Sequence, residues 1–250
     1  MNIVLLHAFP FDHRMWLKVA EGLSESGHDV VLPDLRGLGE APEWEESEPA
    51  SLQTLAKDVI RVLDALSIDR AFIGGCSLGG YVSLEALKHF PERVQGLILA
   101  DTKASADTNE QRAGRERLIE TIRSTASVEP VLAGIEHRML SSKSLADESL
   151  MFEFHEMLQD VRSDGVWNLL YAMSRRESYF DVLHSCDRPI LSLRGQEDKV
   201  SAKADHEAMI QGITDAKHIE IPDAGHLAPF EAPYLVTDAI RRFLETHPAG

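Results

Sequence analysis

The segment 71–81 places the strongest constraint on how this chain can fold. It begins as a short apolar run typical of a buried β-strand and passes into Gly75-Cys76-Ser77-Leu78-Gly79, a Gly-x-Ser-x-Gly sequence. Apolar residues at helical spacing follow. This order predicts a sharp strand-to-helix turn, a nucleophile elbow, that holds Ser77 in a strained backbone conformation. The two glycines favour such a turn because they have no Cβ atoms to collide across it. The alternative is a glycine-rich turn that positions no reactive group.

Strand-like and helix-like segments alternate along most of the chain. The predicted strands cover residues 2–6, 29–32, 71–76, 94–100, 189–194 and 217–221. Helical spacing is seen at 12–25, 52–66, 78–89, 201–211 and 232–245. Repeated β-α-β units of this kind predict an α/β fold with a mainly parallel sheet, right-handed crossovers and helices on both faces.

The alternation lapses between residues 102 and 185, where four helices are predicted at 108–124, 128–140, 146–159 and 163–173. We therefore expect a core formed by residues 1–101 and 186–250, with a helical cap, 102–185, inserted after the strand that ends near Ala100. The cap is predicted to lie over the carboxyl edge of the sheet and to form part of a pocket. Its long apolar side chains either line that pocket or pack the cap helices together; they are Met139, Met151, Phe152, Phe154, Met157, Trp167 and Met173. Met139, Phe154 and Trp167 are the predicted substrate contacts.

Composition excludes several classes of partner. With 41 acidic and 25 basic residues, the formal charge of −16 should repel nucleic acid and anionic membrane surfaces. No apolar run approaches about 20 residues and no signal peptide is visible, so a cytoplasmic location without a membrane anchor is predicted. The two cysteines indicate neither a disulfide framework nor a metal site. The acidic run 43–48 is interpreted as a solvated loop, and the sequence does not indicate an oligomeric state.

Ligands of open α/β sheets bind outside the carboxyl ends of the strands, and three loops there carry candidate catalytic residues. Ser77 lies in the elbow, Asp198 ends Gly195-Gln196-Glu197-Asp198, and His226 follows the last predicted strand. A serine hydroxyl needs an imidazole to remove its proton and a carboxylate to orient that imidazole. Asp101 and Glu197 are the alternative carboxylates. Cys76, an alternative nucleophile, is expected to point away from Ser77 and to pack in the interior.

Three further motifs complete a resemblance to the α/β-hydrolase superfamily, and within it to the small capped bacterial esterases and lactonases such as 3-oxoadipate enol-lactonase. They are His7-Ala8-Phe9-Pro10, Asp34-Leu35-Arg36-Gly37-Leu38-Gly39, and the segment 225–233 around the histidine. The resemblance implies that the backbone N–H groups of Phe9 and Leu78 form an oxyanion hole and that neither cofactor nor metal is needed. Ala8 departs from the glycine usual in the first motif. Because Met1 nearly coincides with the first strand, about six core strands are expected instead of eight.

The resemblance implies hydrolysis of a small carboxylic ester or lactone through an acyl-serine intermediate. Carbon–carbon bond hydrolysis and perhydrolysis use the same three groups, and a receptor without turnover can retain the same fold. The complete set of Ser77, Asp198 and His226 weighs against a receptor. His7 and Arg36 are either substrate contacts or, more simply, residues that bind neighbouring carbonyls and carboxylates.

Overall fold

A computed structural model describes residues 1–45 and 50–247 of the chain. The described residues contain a sheet of six parallel strands in the order β2-β1-β3-β4-β5-β6. The strands are β1 Asn2–Leu6, β2 Asp29–Val31, β3 Ala71–Cys76, β4 Val94–Ala100, β5 Ile190–Gly195 and β6 Ala216–Ile221. The predicted fold class is thus confirmed, and each predicted strand lies within one residue of its observed bounds.

Helices cover both faces of this sheet. Around it lie α1 Leu17–Glu25, α2 Leu52–Ala65, α3 Leu78–His89, α11 Lys203–Ile210, α12 Ala228–Glu231 and α13 Pro233–Glu245, with 3-10 helices at His13–Trp16 and Pro91–Arg93. Successive residues of β1 face opposite sides, as the two-residue period of a strand requires. Ile3 and Leu5 pack in one apolar cluster with α1 and α13, whereas Val4 and Leu6 pack in another with α2 and α3.

Seven helices lie between β4 and β5 in chain order, in the segment predicted to be a cap. They are α4 Asn109–Thr125, α5 Glu129–Leu132, α6 Ile135–Met139, α7 Ser142–Leu145, α8 Glu148–Glu156, α9 Ser163–Ser174 and α10 Phe180–His184. We call residues 102–185 the helical insertion. The single helix predicted at 128–140 is wrong, because Gly134, with a positive φ of 62°, separates α5 from α6. The helix predicted at 146–159 is present as α8, which begins at Glu148 because the Asp147 side chain caps it, and α7 was not predicted.

Two predicted helices of the core also differ at their starts. The helix expected from residue 12 begins as a 3-10 turn, because the Asp12 side chain accepts the Arg14 N–H and caps that turn instead. The helix expected from residue 232 is preceded by α12 and begins at Pro233, which suits a first helical position because it has no N–H to leave unpaired. Residues 46–48 of the acidic run predicted as a solvated loop lie outside the described residues.

The sheet order reverses beside β1, since the chain runs outward to β2 and then returns to β3 on the other side. Such a reversal opens a crevice at the carboxyl ends of the flanking strands. The registers place Leu6 beside Gly75 and Cys76 beside Ala100, so the loops after β1, β3 and β4 begin at the same edge. The residues that follow these strands therefore meet there.

Candidate active site

Ser77 lies between β3 and α3 with φ 52° and ψ −109°, a region that residues other than glycine rarely adopt. A Cβ atom on Gly75 would collide with the backbone of Gly79, and one on Gly79 would collide with the Leu6 carbonyl. The Ser77 N–H donates to the Ala100 carbonyl at 3.0 Å, which ties the turn to β4. The strained elbow expected from the sequence is present.

His226 connects the elbow to the loop after β5. Its Nε2 lies 2.8 Å from Ser77 Oγ, and its Nδ1 lies 2.9 Å from Asp198 Oδ1. A carboxylate only accepts hydrogen bonds, so Nδ1 carries the proton and Nε2 is free to accept the serine hydroxyl. The His226 backbone N–H donates to the Met139 carbonyl at 2.7 Å, which ties this loop to the helical insertion. The three residues predicted as a catalytic set are thus brought together.

The pKa values of Asp198 and His226 are shifted in opposite directions, which favours an ionised carboxylate beside a basic imidazole. Burial opposes ionisation of Asp198, but the His226 charge and hydrogen bonds from His226, Ser201 and Val200 lower its pKa to about 2. Burial likewise lowers the pKa of His226, but the charge and hydrogen bond of Asp198 outweigh burial and raise that pKa above its ordinary value. The imidazole is therefore a stronger base than a free histidine.

The loop after β5 is built around the Asp198 carboxylate. Oδ1 accepts the N–H groups of Val200 at 2.7 Å and Ser201 at 3.1 Å, and Oδ2 accepts the Ser201 hydroxyl. Arg194 donates from Nη2 to the Asp198 carbonyl at 2.9 Å. The Val200 and Ser201 donors satisfy a carboxylate that is buried, as a buried charge requires.

The other two carboxylates weighed from the sequence do not bond the His226 side chain. Asp101 accepts the backbone N–H groups of Gly195 at 2.7 Å and Ala228 at 2.9 Å. Burial, followed by the nearby Asp198 charge, raises the pKa of Asp101 to about 8. Glu197 turns outward and accepts the N–H and hydroxyl of Ser142 in the helical insertion. Among the described residues, Asp198 alone is placed to orient the imidazole.

The predicted oxyanion donors lie on either side of the elbow. Leu78 is the first residue of α3, and Phe9 lies in the loop after β1. Within 1–45 and 50–247, neither backbone N–H has a hydrogen-bond acceptor. At a helix start, the free N–H of Leu78 also lies at the positive end of the helix dipole. Their role in catalysis stays a prediction.

His7 and Arg36 make intrachain contacts of the kind that the simpler of the two interpretations expects. His7 Nε2 accepts the Leu35 N–H at 2.8 Å and is fully buried, which ties the loop after β1 to the loop after β2. Arg36 donates to both oxygens of Asp58 on α2, at 2.8 and 2.9 Å. The His7 bond thus holds the loop that carries Phe9 against the loop after β2, and the Arg36 bonds hold that second loop against α2.

Cys76 also fits the structural interpretation. Its thiol is fully buried and lies 3.4 Å from the His226 carbonyl oxygen, behind the catalytic face. Burial, helped by the nearby Asp101 charge, raises the pKa of this thiol well above its ordinary value. A neutral buried thiol is a weak nucleophile.

The three predicted substrate contacts occupy different settings. Met139 is half-buried and reaches the site through its carbonyl. Phe154 is fully buried, with its ring centroid 5.2 Å from that of Phe11 and 6.4 Å from that of Phe230, so it packs α8 onto the core. Trp167 borders a cavity of about 720 Å³ between α4, α9 and the segment around Trp44. Of the remaining cap side chains, Met157 and Met173 are buried, Met151 is half-buried and Phe152 is 67% exposed.

Asp12, His13 and Asp34 have potential metal-ligand atoms within 4.8 Å of one another. Asp12 is already paired with the Arg14 guanidinium, at 2.6 Å at its shortest. Asp34 accepts the backbone N–H groups of His13 and Glu40, at 2.7 and 2.8 Å. These carboxylates thus hold the loops after β1 and β2 together.

Comparison with known proteins identifies the family of this chain. The sequence model of the alpha/beta hydrolase fold family matches residues 2–233. The chain belongs to this family. It is 28% identical over 232 residues to 3-oxoadipate enol-lactonase 1 of Acinetobacter baylyi, an alignment that covers 92% of this chain and 84% of the relative.

Solved structures of other α/β-hydrolases superimpose closely on this chain. A thermophilic esterase from Thermogutta terrifontis, solved with malate bound, has a TM-score of 0.91 and 32% identity, covering 98% of this chain and 90% of the other. The enol-lactonase from Burkholderia xenovorans has a TM-score of 0.83 and 23% identity, covering 98% and 91%, and shows the shared fold. Within the described residues, no helix has the length and apolar character needed to cross a membrane.

Proposed function

We propose that this α/β-hydrolase cleaves a small carboxylic ester or lactone through an acyl-serine intermediate on Ser77. The observation that carries this proposal is the continuous hydrogen-bonded line from Ser77 Oγ through His226 to Asp198, at 2.8 and 2.9 Å, on a strained elbow. Family membership, together with an esterase and enol-lactonases among the similar proteins, supports an enzyme that acts on ester bonds.

In the proposed reaction, Ser77 Oγ attacks the ester carbonyl carbon while His226 Nε2 takes the hydroxyl proton. The carbonyl oxygen becomes an oxyanion, which the N–H groups of Phe9 and Leu78 stabilise. Collapse of the intermediate breaks the bond to the alcohol oxygen, which receives the proton from His226. Water, activated by His226, then attacks the acyl-serine and releases the acid. Asp198 stays ionised throughout and stabilises the imidazolium.

We also propose that the helical insertion covers the site and forms much of the substrate pocket. Its contacts with the loops at the carboxyl edge support this: Met139 accepts the His226 N–H, Ser141 donates to Glu231, and Ser142 donates to Glu197. Substrate selectivity then follows from the insertion, with Met139 and Trp167 as its first candidates. The small-molecule substrate and the cytoplasmic location stay predictions.

Labelling with a fluorophosphonate tests the nucleophile. We expect one adduct, located on Ser77 by peptide mass spectrometry, and loss of activated-ester hydrolysis in proportion to labelling. Ser77→Ala should abolish both, whereas the control Ser174→Ala, which removes a buried hydroxyl that donates to the Tyr171 carbonyl, should retain both. An adduct on Cys76, or hydrolysis that survives Ser77→Ala, would contradict the assignment.

A panel of substrates then tests the reaction class. Carboxylic esters and lactones should be turned over faster than β-diketones, whose cleavage would indicate carbon–carbon bond hydrolysis. Exchange of residues 102–185 for the corresponding segment of a related esterase should change the order of preference while Ser77 stays reactive. An unchanged order would argue against the proposed role of the insertion.

A further inference from the structure

A line of hydrogen bonds continues behind Asp198, away from the elbow, and is buried as far as Ser192. Asp198 Oδ2 contacts Ser201 Oγ, which lies 3.2 Å from His206 Nε2. His206 Nδ1 lies 2.8 Å from Ser192 Oγ, and that oxygen lies 3.1 Å from His218 Nδ1. We call Ser201, His206, Ser192 and His218 the serine–histidine chain. It links β5, the loop after it, α11 and β6, which are separate elements, so no single sequence motif indicates it.

In the serine–histidine chain, the direction of every hydrogen bond follows from the negative charge of Asp198. An ionised Asp198 accepts only, so the Ser201 hydroxyl donates to it and the Ser201 oxygen accepts from His206. A neutral His206 then carries its proton on Nε2 and accepts the Ser192 hydroxyl at Nδ1. Ser192 in turn accepts from His218, whose proton lies on Nδ1. All four donors therefore point toward Asp198.

The surroundings keep both imidazoles neutral, which this ordering requires. His206 is fully buried, and burial, followed by repulsion from His218, lowers its pKa to about 3. Burial also lowers the pKa of His218. The charged groups that face the two rings are Asp198, Arg194, His226, Glu220, Lys203 and Glu207. None of these makes a hydrogen bond to either ring in the described part of the chain.

We propose that the serine–histidine chain positions Asp198 for catalysis, by aligning all of its donors toward Oδ2 and so keeping the carboxylate ionised with Oδ1 directed at His226. The inference rests on the proposed function, because it takes Asp198 as the orienting acid. Hydrogen bonds aligned head to tail in a buried site polarise one another, so the distal histidines strengthen the Ser201 bond. None of the four residues touches the reacting atoms, and each acts through Asp198.

The serine–histidine chain stabilises the Asp198 charge at a position where a second carboxyl lies nearby. Asp198 is buried near a second carboxyl, Asp101, and two like charges in a buried site disfavour ionisation of both. The Ser201 hydroxyl brings the positive end of a dipole to the oxygen of Asp198 that His226 does not use. Beyond it, His218 Nε2 is buried without a partner in the described residues, so no further group there reverses the order.

Nitrogen NMR of the resting wild-type enzyme tests the ordering without any need for turnover. The expected spectrum has a protonated Nε2 on His206 and a protonated Nδ1 on His218, both neutral at pH 7. Assignments come from His206→Gln and His218→Gln. The opposite tautomer on His206, or a doubly protonated ring, would overturn the proposed direction of the chain.

Steady-state kinetics test the positioning role. A hydrogen bond to a charged group contributes enough that Ser201→Ala should lower kcat about tenfold, with KM changed less than about twofold. Loss of the hydroxyl dipole leaves the negative charge of Asp198 less compensated, so the acid limb of the kcat/KM profile should move up by about 0.5–1 pH unit. His206→Leu should give the same pattern in weaker form. His206→Gln, whose side-chain amide can still donate to Ser201, should restore most of kcat.

Two measurements separate the possible outcomes. Fluorophosphonate titration counts active sites, so a variant that is merely unstable loses sites but keeps kcat per site and the pH limb. The positioning role would be overturned if both Ser201→Ala and His206→Leu lost only active sites, with kcat per site and the pH limb unchanged. An equal loss of kcat in the control Ser174→Ala would also overturn it. Failure of wild-type Ser77 to react at all would instead reject the proposed function, while the tautomer measurement would still report on the chain.

Discussion

Two buried aspartates follow adjacent strands at the same edge of the sheet, and they differ in what faces them. Asp198, after β5, faces an imidazole, a hydroxyl and two backbone N–H groups. Asp101, after β4, faces the backbone N–H groups of Gly195 and Ala228 and the thiol of Cys76. The pKa of Asp198 is lowered to about 2, whereas that of Asp101 is raised to about 8.

Burial disfavours the charged form of both carboxyls, so the neighbours decide the difference. When the pKa values of two titratable groups in one site are shifted in opposite directions, the shifts are a guide to the separate roles of the groups. In the proposed mechanism, Asp198 is the charge that orients His226. Asp101 joins the two loops that carry Asp198 and His226, because Gly195 precedes Asp198 and Ala228 follows His226. By this proposal, one carboxyl takes part in catalysis, and the other holds together the loops that support it.

The largest expected effect comes from Asp198→Asn. The amide cannot hold the charge that stabilises the imidazolium, and it can bond the wrong tautomer of His226, so kcat should fall by up to about 10⁴-fold. Single-turnover acylation of Ser77 by an activated ester measures this directly. Circular dichroism and thermal unfolding confirm that the variant is folded. If Asp101→Asn, equally folded, lost as much activity, the acid role would pass to Asp101.

The pH profile measures the influence of Asp198 on His226. His226 must be neutral to take the Ser77 proton, and Asp198 raises its pKa above the ordinary 6.5. We therefore expect kcat/KM to fall about tenfold per unit as the pH drops below that raised value. In Asp198→Asn the residual activity should show this limb at lower pH, because the raising charge is gone. A limb that stayed in place would mean that another group governs it.

Asp101→Asn should act on stability more than on chemistry. Asparagine offers one acceptor where Asp101 uses two, so one buried N–H loses its partner, at about 1–3 kcal/mol of unfolding free energy. We expect kcat to fall less than about tenfold, since the amide is the size of the carboxyl and leaves His226 bonded to Asp198. Urea unfolding and active-site titration measure the two effects separately.

The pH dependence of the stability lost in Asp101→Asn further distinguishes Asp101 from Asp198. Because the folded-state pKa of Asp101 is raised to about 8, the wild type loses stability as the pH rises from about 4 to about 8. Asparagine does not titrate, so the deficit of Asp101→Asn should shrink over this window. Asp198, with its lowered pKa, contributes stability that is lost only as the pH falls from about 4 toward 2. A deficit that grew with pH would show that Asp101 is ionised in the fold.

The parallel sheet and the elbow could be predicted from the sequence, because apolar strand segments and the glycines at the turns that follow them are local features. Ser77 and His226 were identifiable for the same reason, since each follows a strand in a glycine-containing loop. The helical insertion was predicted less well. One predicted helix continues through residue 134, where the backbone conformation of Gly134 breaks it, and α7 was not predicted.

The roles of the two aspartates depend on contacts between residues far apart in sequence, which periodicity does not report. The sequence placed both at strand ends and favoured Asp198 by motif, but the Gly195 and Ala228 N–H groups that occupy Asp101 are 94 and 127 residues away. The link from Ser201 through His206 to Ser192 and His218 spans only residues 192–218, but it joins β5, the loop after it, α11 and β6, so the periodicity of a single element does not report it. Such networks become visible only when the register of β5 and β6 is known.

The smallest effect should come from Glu197→Gln, the matched control for Asp198→Asn in the adjacent position. Glu197 accepts from Ser142 at the exposed edge of the helical insertion, at 2.8 Å from its hydroxyl, and has no contact with His226 among the described residues. Hydrogen bonds from Ser142 lower its pKa, so the variant removes a negative charge near the surface. The amide oxygen can still accept, and an exposed interaction of this kind contributes under about 1 kcal/mol. We expect kcat to stay within about twofold of wild type, with any change appearing in KM through a looser insertion. Parallel measurement of both variants on one ester decides the point, because a Glu197→Gln enzyme as impaired as Asp198→Asn would mean that this loop orients His226 through more than one carboxylate.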